Sequence, residues 1–413
     1  MGSVFSLSAQ EERKTNEGIQ FMANEPWTTV VQQAKEQNRL IFMDCYTTWC
    51  GPCKGLAENI FPQKAVGDFF NAHFVNVQYD MEKGDGKMLN EKYKAHIIGY
   101  PTLLLINAEG QVVHQMAGYQ EADVLIAGMK AGLEGRSLFA VQDRYEKGAR
   151  DLETITAYVD ALNGAFQKEK IPGVVEAFLA TIPVERLLEP EVWQVVGKYI
   201  KDPYTEQYRF VLQNLGRGYQ YRLKVDRYAL ETQLASGMLK AVEEILTLSR
   251  ATRDADTLAL LREREGKLKE LLLKYQVKEY PTFVAKLEIN DLILAGEPLE
   301  TYRLLASAQK MGVFPSNSNS KFLSGCYRYI VENIRDKKIL RACIDELLAL
   351  QEKQTLRVEY AFSYHDVLAL AHEKLKDHAA AQAAREEYER RETAKKEHFS
   401  KMFDTAKTET TTP

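Results

Sequence analysis

The chain has 413 residues, 45% of them hydrophobic and 27% charged, with a formal net charge of −4. That length exceeds what one hydrophobic core supports, so at least two domains are expected, and the composition excludes wholesale disorder. The slight acidity excludes nucleic acid as the main partner, because phosphate binding needs concentrated Lys and Arg, and without an apolar run of about 18–20 residues no stable membrane insertion is expected.

The first residues read as a processing signal. Val4-Phe5-Ser6-Leu7-Ser8-Ala9-Gln10 is apolar and rich in small residues, and the charged Glu11-Glu12-Arg13-Lys14 follows at once. This order fits the end of a secretory signal cut between Ala9 and Gln10. Leu7 departs from the small residue preferred at its position, and Met1-Gly2-Ser3 reads as an expression scar. Residues 1–19 are therefore set apart as a tail, and export is expected, with a cytoplasmic location as the alternative.

From residue 20 to 135 helix and strand signals alternate. Helical spacing at Trp27, Val30, Val31 and Ala34 predicts a helix over 27–38, and the apolar run 39–46 predicts a buried strand. Helices are predicted over 54–61 and 63–72, with a break at Pro62. Then come a strand at 74–79, a Gly-containing turn at 83–86, a helix at 87–95 and a strand at 102–106. The turn Asn107-Ala108-Glu109-Gly110 leads into a strand at 111–116, and a closing helix covers 121–133. The order predicts a small α/β sandwich.

Beyond residue 136 strand signals fade. Segments 152–166, 174–180, 228–248, 257–275, 299–311, 321–334 and 338–351 repeat apolar residues near every 3.6 positions. An all-helical domain over 136–391 is expected, with helix pairs at roughly the 34–45-residue spacing of helical repeats. Within it, residues 364–384 set small residues where two helices would touch, with Lys376-Asp377 at the turn. This segment resembles a tetratricopeptide repeat, a protein-binding helical hairpin; an ordinary helix pair is the alternative reading. Residues 392–413 are expected to begin as charged helix and to end as a polar tail.

The chemistry concentrates at Thr48-Trp49-Cys50-Gly51-Pro52-Cys53-Lys54. A strand, a short connection and then a cysteine at the first turn of a helix place Cys50 beside unpaired backbone N–H groups, where a thiolate is favoured. Cys53, one turn on, is close enough to close a disulfide with it. A structural zinc site would need two further ligands at knuckle spacing, and none is present, so no metal is expected. Cys45, Cys326 and Cys343 read as buried thiols packed as small apolar groups, with pairing of Cys326 and Cys343 left open. The count of five cysteines is too sparse to reveal the compartment.

Trp49-Cys50-Gly51-Pro52-Cys53-Lys54 resembles the active site of the thioredoxins letter for letter. Two remote positions agree with the family as well. Asp44, six residues before Cys50, stands at the place of the family's buried aspartate, and Tyr100-Pro101-Thr102 at that of its cis-proline loop. The resemblance covers about residues 20–134. It implies a thioredoxin-like α/β domain ahead of the helical one and a thiol-disulfide oxidoreductase without a cofactor. It also implies that Cys50 attacks, Cys53 resolves and Asp44 helps deprotonate Cys53. Trp49, Gly51, Pro52, Tyr100 and Pro101 are expected to contact substrate.

The departures are informative too. Asn76 stands where many thioredoxins carry a lysine facing the aspartate, and Cys45 where an aromatic is usual. The segment 80–86 is similar to those of thioredoxin-like proteins of bacterial envelopes and of the C-terminal domain of the transmembrane thiol-disulfide interchange reductase. The Gly51-Pro52 pair is that of reducing thioredoxins, so reduction of partner-protein disulfides is the first expectation. Partners would be a disulfide-containing protein and an electron-donor redox protein, such as a membrane thiol reductase, in the periplasm or cell envelope. Isomerase or oxidase activity, and a helical binding scaffold carrying a redox-passive thioredoxin fold, are the competing readings. Tyr280-Pro281-Thr282 echoes Tyr100-Pro101-Thr102, but without a CxxC upstream of it in the helical region it is read as a helix-starting proline.

Overall fold

A computed structural model describes residues 17–408 except 23, 24, 216, 217, 316, 355, 358 and 359, with the backbone alone for 402–408. The signal-like stretch 4–10 and its cut site lie outside the described residues. The chain divides into two compact units, Met1–Pro183 and Val184–Pro413.

The first unit is built on the apolar run after residue 39. Its helix α1 (Trp27–Gln37) ends at Asn38 in a left-handed conformation, φ 50°, which turns the chain into β1 (Leu40–Tyr46). Then follow α2 (Gly51–Gly55), a π-helical turn at Leu56–Ile60, α3 (Lys64–His73), β2 (Phe74–Asp80), α4 (Gly84–Lys92), β3 (Thr102–Ile106), β4 (Val112–Ala117) and α5 (Ala122–Leu133). The strand order is β2-β1-β3-β4, with β1 parallel to β2 and antiparallel to β3, and β3 antiparallel to β4. The parallel pair requires a crossover, which α2 and α3 supply; β3 and β4 need only a hairpin.

Side-chain alternation along β1 divides the core. Ile41, Met43 and Cys45 pack with Trp27, Val30, Val77 and Leu89 on one face. Phe42 packs with Leu56, Ile60, Phe70 and Met129 on the other. Asp44 follows Phe42 in alternation, so its side chain is directed to the face under the CxxC helix.

Two local expectations are corrected. The helix predicted to begin at residue 87 starts at Gly84, because the expected turn is its first turn: Asp85 there accepts the Trp27 N–H at 3.0 Å. The helix predicted over 54–61 is broken into α2 and the π turn.

Three further helices belong to this unit: α6 (Leu138–Glu146), α7 (Leu152–Gly164) and α8 (Ile171–Leu179). Helical periodicity alone groups them with the region beyond 136, yet α6 and α7 pack against β4. An uncovered β4 would be an open sheet edge, and covering it is the physical reason for the difference. The His114 ring on β4 accepts the Leu138 N–H at 3.0 Å, and Ser137 and Asp151 cap α6 and α7.

The second unit consists of helices and their connections, with no strand among its described residues. It holds α9 (Pro190–Val196), α10 (Glu206–Asn214), α11 (Tyr219–Leu223), α12 (Arg227–Ala251), α13 (Ala255–Tyr275), α14 (Tyr280–Leu294) and α15 (Pro298–Lys310). It continues with α16 (Ser320–Asn333), α17 (Lys337–Glu352), α18 (His365–Lys374) and α19 (His378–Thr408). Pro281 sits in the first turn of α14, where its missing N–H costs nothing. Cys326 and Cys343 lie in one apolar cluster with Leu323, Ile330 and Leu347, and both are free thiols. The hairpin expected at 364–384 is present as α18 and α19, which bury Ala371, Ala381 and Ala384. α19 runs to Thr408, with Glu387 paired to Arg390 and Arg391, Glu392 paired to Lys395, and no Gly or Pro interrupting the run; the polar end expected beyond it, 409–413, lies outside the described residues. Among the described residues no helix is long and apolar enough to cross a membrane.

Candidate active site

β1 delivers the chain to the head of α2 through Thr47, Thr48 and Trp49. The Cys50 N–H donates to the Thr47 carbonyl at 3.2 Å, which closes the connection. Cys50 is the N-cap of α2, and its Sγ accepts the Cys53 N–H at 3.1 Å. That N–H is one of the orphan donors of a helix start, so negative charge on Cys50 Sγ is favoured here. Pro52 occupies the first turn, where it costs no hydrogen bond. Cys50 and Cys53 form a disulfide with Cα atoms 5.3 Å apart, and their relative exposures are 4% and 5%. Gly51 and Pro52 between them are exposed, and a Cβ at Gly51 would meet nothing within 4 Å.

Asp44 is buried on β1. Gln78 on β2 pairs with it in register, and Gln78 Nε2 donates to Asp44 Oδ2 at 3.0 Å. Asp44 Oδ1 has no hydrogen-bond partner among the described residues. Burial pushes the carboxyl up from 3.8 to about 7, and the Gln78 bond offsets only part of this. Asn76, the residue expected to face Asp44, donates instead to Asn71 Oδ1 at 3.2 Å. The parallel register decides this, since it sets Asn76 beside Phe42 and Gln78 beside Asp44. Burial also raises the neighbouring Cys45 thiol well above its usual range.

Around the disulfide the rim is aromatic. Trp49 is 63% exposed, and its Nε1–H donates to the Glu82 carboxylate at 3.1 Å. The Tyr100 ring meets the Trp49 ring edge-on at 6.0 Å. The Tyr100–Pro101 peptide bond is cis. Pro101 itself is buried, and its carbonyl accepts the Gly118 N–H at 2.8 Å. The structure thus joins Cys50 to Cys53 and Trp49 to Tyr100, and places Asp44 on the sheet face below.

Three further residues reach the site without having been singled out from sequence: Gln78, Glu82 and Tyr119. A Cβ added at Gly55, two residues beyond Cys53, would lie 3.2 Å from the Tyr119 ring. Gln78 was accessible to sequence reasoning through the register of the two predicted strands. Glu82 and Tyr119 carried no signal, because exposed loop residues follow no period.

The sequence profile of the family described as Thioredoxin-like domain matches residues 28–132. Thioredoxin H4 of Arabidopsis thaliana is 32% identical over 101 residues, covering 24% of this chain and 78% of that protein. Thiol:disulfide interchange protein DsbD of Pasteurella multocida (strain Pm70) is 30% identical over 95 residues, 22% of this chain; the match spans only 16% of that protein's length. The solution structure of a putative disulphide-isomerase from Bacteroides thetaiotaomicron is 44% identical, covering 28% of this chain and 94% of that one, with a TM-score of 0.26.

Proposed function

Because the chain belongs to the thioredoxin-like family through residues 28–132, we propose that it reduces disulfides of partner proteins through a Cys50/Cys53 dithiol. The observation that carries this reading is the Cys50–Cys53 disulfide at the head of α2, where Cys50 Sγ accepts a helix-start N–H. The Cys50 thiolate attacks one sulfur of a substrate disulfide; that S–S bond breaks, a mixed disulfide forms and the first substrate thiolate leaves. Asp44 takes the Cys53 proton, and the Cys53 thiolate attacks Cys50 Sγ. The second substrate thiolate is released, and the enzyme is left with the Cys50–Cys53 disulfide. A donor dithiol protein then returns the two electrons.

The rim residues Trp49, Gly51, Pro52 and Tyr100, with the Pro101 loop, hold the substrate's extended backbone beside the sulfurs. Redox chemistry is assigned to the segment 20–135, and selection of the substrate or docking of the donor to the helices beyond it. The similarity to a thiol:disulfide interchange protein supports an envelope location with a membrane thiol reductase as donor.

Reduction of insulin by the wild type, and its absence in Cys50→Ser, tests the activity. The direction is tested by equilibrating the Cys50/Cys53 pair with glutathione. Reducing thioredoxins lie near about −270 mV, and a value above roughly −150 mV would overturn the reductase assignment. Reactivation of scrambled ribonuclease that outpaces insulin reduction would make the protein an isomerase instead.

A further inference from the structure

The helices appended to the thioredoxin-like segment do more than cover β4. Between α5 and α7 lies a cavity of ≈ 560 Å³, within the range of about 300–1,000 Å³ usual for ligand pockets. Ala127 and Ala131 on α5, Ala157 and Ala161 on α7, and Met116 and His114 on β4 line it, together with the charged Arg136, Asp160 and Lys168. His114 is uncharged at neutral pH: its Nδ1 accepts the Leu138 N–H, and burial holds the ring down to about 4. Protein interiors are close-packed, so alanines facing one another across open space leave a volume shaped for something else.

Two aromatic residues of the cavity's lining touch segments next to the disulfide site. These are Phe166 and Tyr119, and both rings are unusually bare for aromatics, at 47% and 39% exposure. Phe166 follows α7 with a left-handed backbone, φ 55°, and its ring lies on Gly118, where an added Cβ would fall 2.0 Å from it. Gly118 is bonded to the Pro101 carbonyl, and Tyr119 packs on Gly55 of the CxxC helix. Through these two aromatic residues the cavity's lining is in contact with Gly55 on the CxxC helix and with Gly118 beside the Pro101 loop.

We propose that this cavity is a substrate subsite: it receives a large apolar or aromatic side chain of the partner protein, a few residues along the chain from the disulfide being reduced at Cys50. The proposal rests on the thiol-disulfide reading above and adds to it the class of sequence that the enzyme prefers. The facing alanines and Met116 fit a hydrocarbon or ring, whose burial against them is favourable. Ala157 on α7 and Phe166 just after it lie beyond the thioredoxin-like segment, so the subsite exists only because α7 folds with it.

The test uses short Gly/Ser peptides with one cysteine held as its glutathione disulfide and one Phe placed at successive distances from it. The full-length wild type is expected to prefer one Phe position by about tenfold in kcat/KM over the peptide without Phe. Ala157→Leu, which fills the cavity, and Phe166→Ala, which removes its rim, are each expected to bring that ratio close to one. Labelled peptides with Ser in place of the cysteine, followed by fluorescence anisotropy, read the same preference as a Kd ratio without redox turnover. Turnover without preference at any position, or a preference retained in both variants, overturns the subsite. A binding preference without turnover would leave the subsite standing and sink the oxidoreductase reading.

Discussion

Gln78 on β2 donates to Asp44 on β1 across a distance of 3.0 Å, at the register position where the two strands set these residues side by side. It is the one hydrogen bond that the described residues offer the buried carboxyl, whose other oxygen has none. Burial therefore outweighs it, and Asp44 titrates near pH 7 rather than near 4.

Stability should follow that titration. In the unfolded chain an aspartate loses its proton near pH 3.9, so between there and about pH 7 the folded protein holds a proton that the unfolded chain has released. Stability accordingly falls as pH rises through this window and levels off above it. The shift corresponds to at most about 4 kcal/mol. Urea unfolding of the oxidised protein at pH 5 and pH 8 should show the loss, and Asp44→Asn should lack it and be the more stable protein at pH 8. A flat wild-type profile would mean that desolvation does not govern this carboxyl.

Kinetics should report the same group with the opposite benefit. In the proposed mechanism Asp44 must be ionised to accept the Cys53 proton, so release of the mixed disulfide should accelerate with rising pH and reach a plateau above about pH 7. Gln78→Leu, which removes the donor, should move that inflection upward. Asp44→Asn should slow the step about a hundredfold. Rapid-mixing measurements by tryptophan fluorescence would reveal both effects, and an unchanged inflection in Gln78→Leu would contradict the assignment.

Thiol counting separates the cysteines. Cys45, Cys326 and Cys343 are buried and free, and burial raises all three, Cys326 and Cys343 to about 12. The native oxidised protein should thus give no rapid reaction with an aromatic disulfide reagent. Mild reduction should expose two fast thiols, and denaturation three more. Cys53→Ser should trap partner proteins as mixed disulfides at Cys50, which mass spectrometry of the adduct would locate.

Glu82 fixes the exposed Trp49 ring by accepting its Nε1–H. The bond is charged but lies at the surface, so its net worth is about 1 kcal/mol. Glu82→Ala should raise the KM for protein substrates roughly fivefold with little change in kcat, because ring orientation affects binding and not the sulfur chemistry. Trp49 fluorescence should broaden in lifetime in the same variant. A loss confined to kcat would mean that Glu82 acts on the thiols instead.

Much of this protein was legible in order along the chain. The apolar run of β1, the alternation of Ile41, Phe42 and Met43 and the turn at Gly110 are local patterns, and each dictates backbone geometry by its own sterics and burial. The motif around Cys50 and Cys53 was legible for the same reason: four consecutive residues suffice to start a helix and to bring its two sulfurs within bonding distance.

Contacts between distant segments are another matter. Which residue faces Asp44 depended on a parallel register that a shift of one or two positions would have changed, and it placed Gln78 there rather than Asn76. The helices after residue 136 show a period of 3.6 but no address. Only the open edge of β4, with His114 accepting from Leu138 and Phe166 laid on Gly118, determined that the first three of them fold with the α/β unit. Sequence by itself determined the paired cysteines after a strand at a helix start, because a CxxC is a local device. Tertiary structure decided the setting of that chemistry, the carboxyl held near pH 7 and the cavity beside the site, because burial and enclosure arise only when remote segments meet.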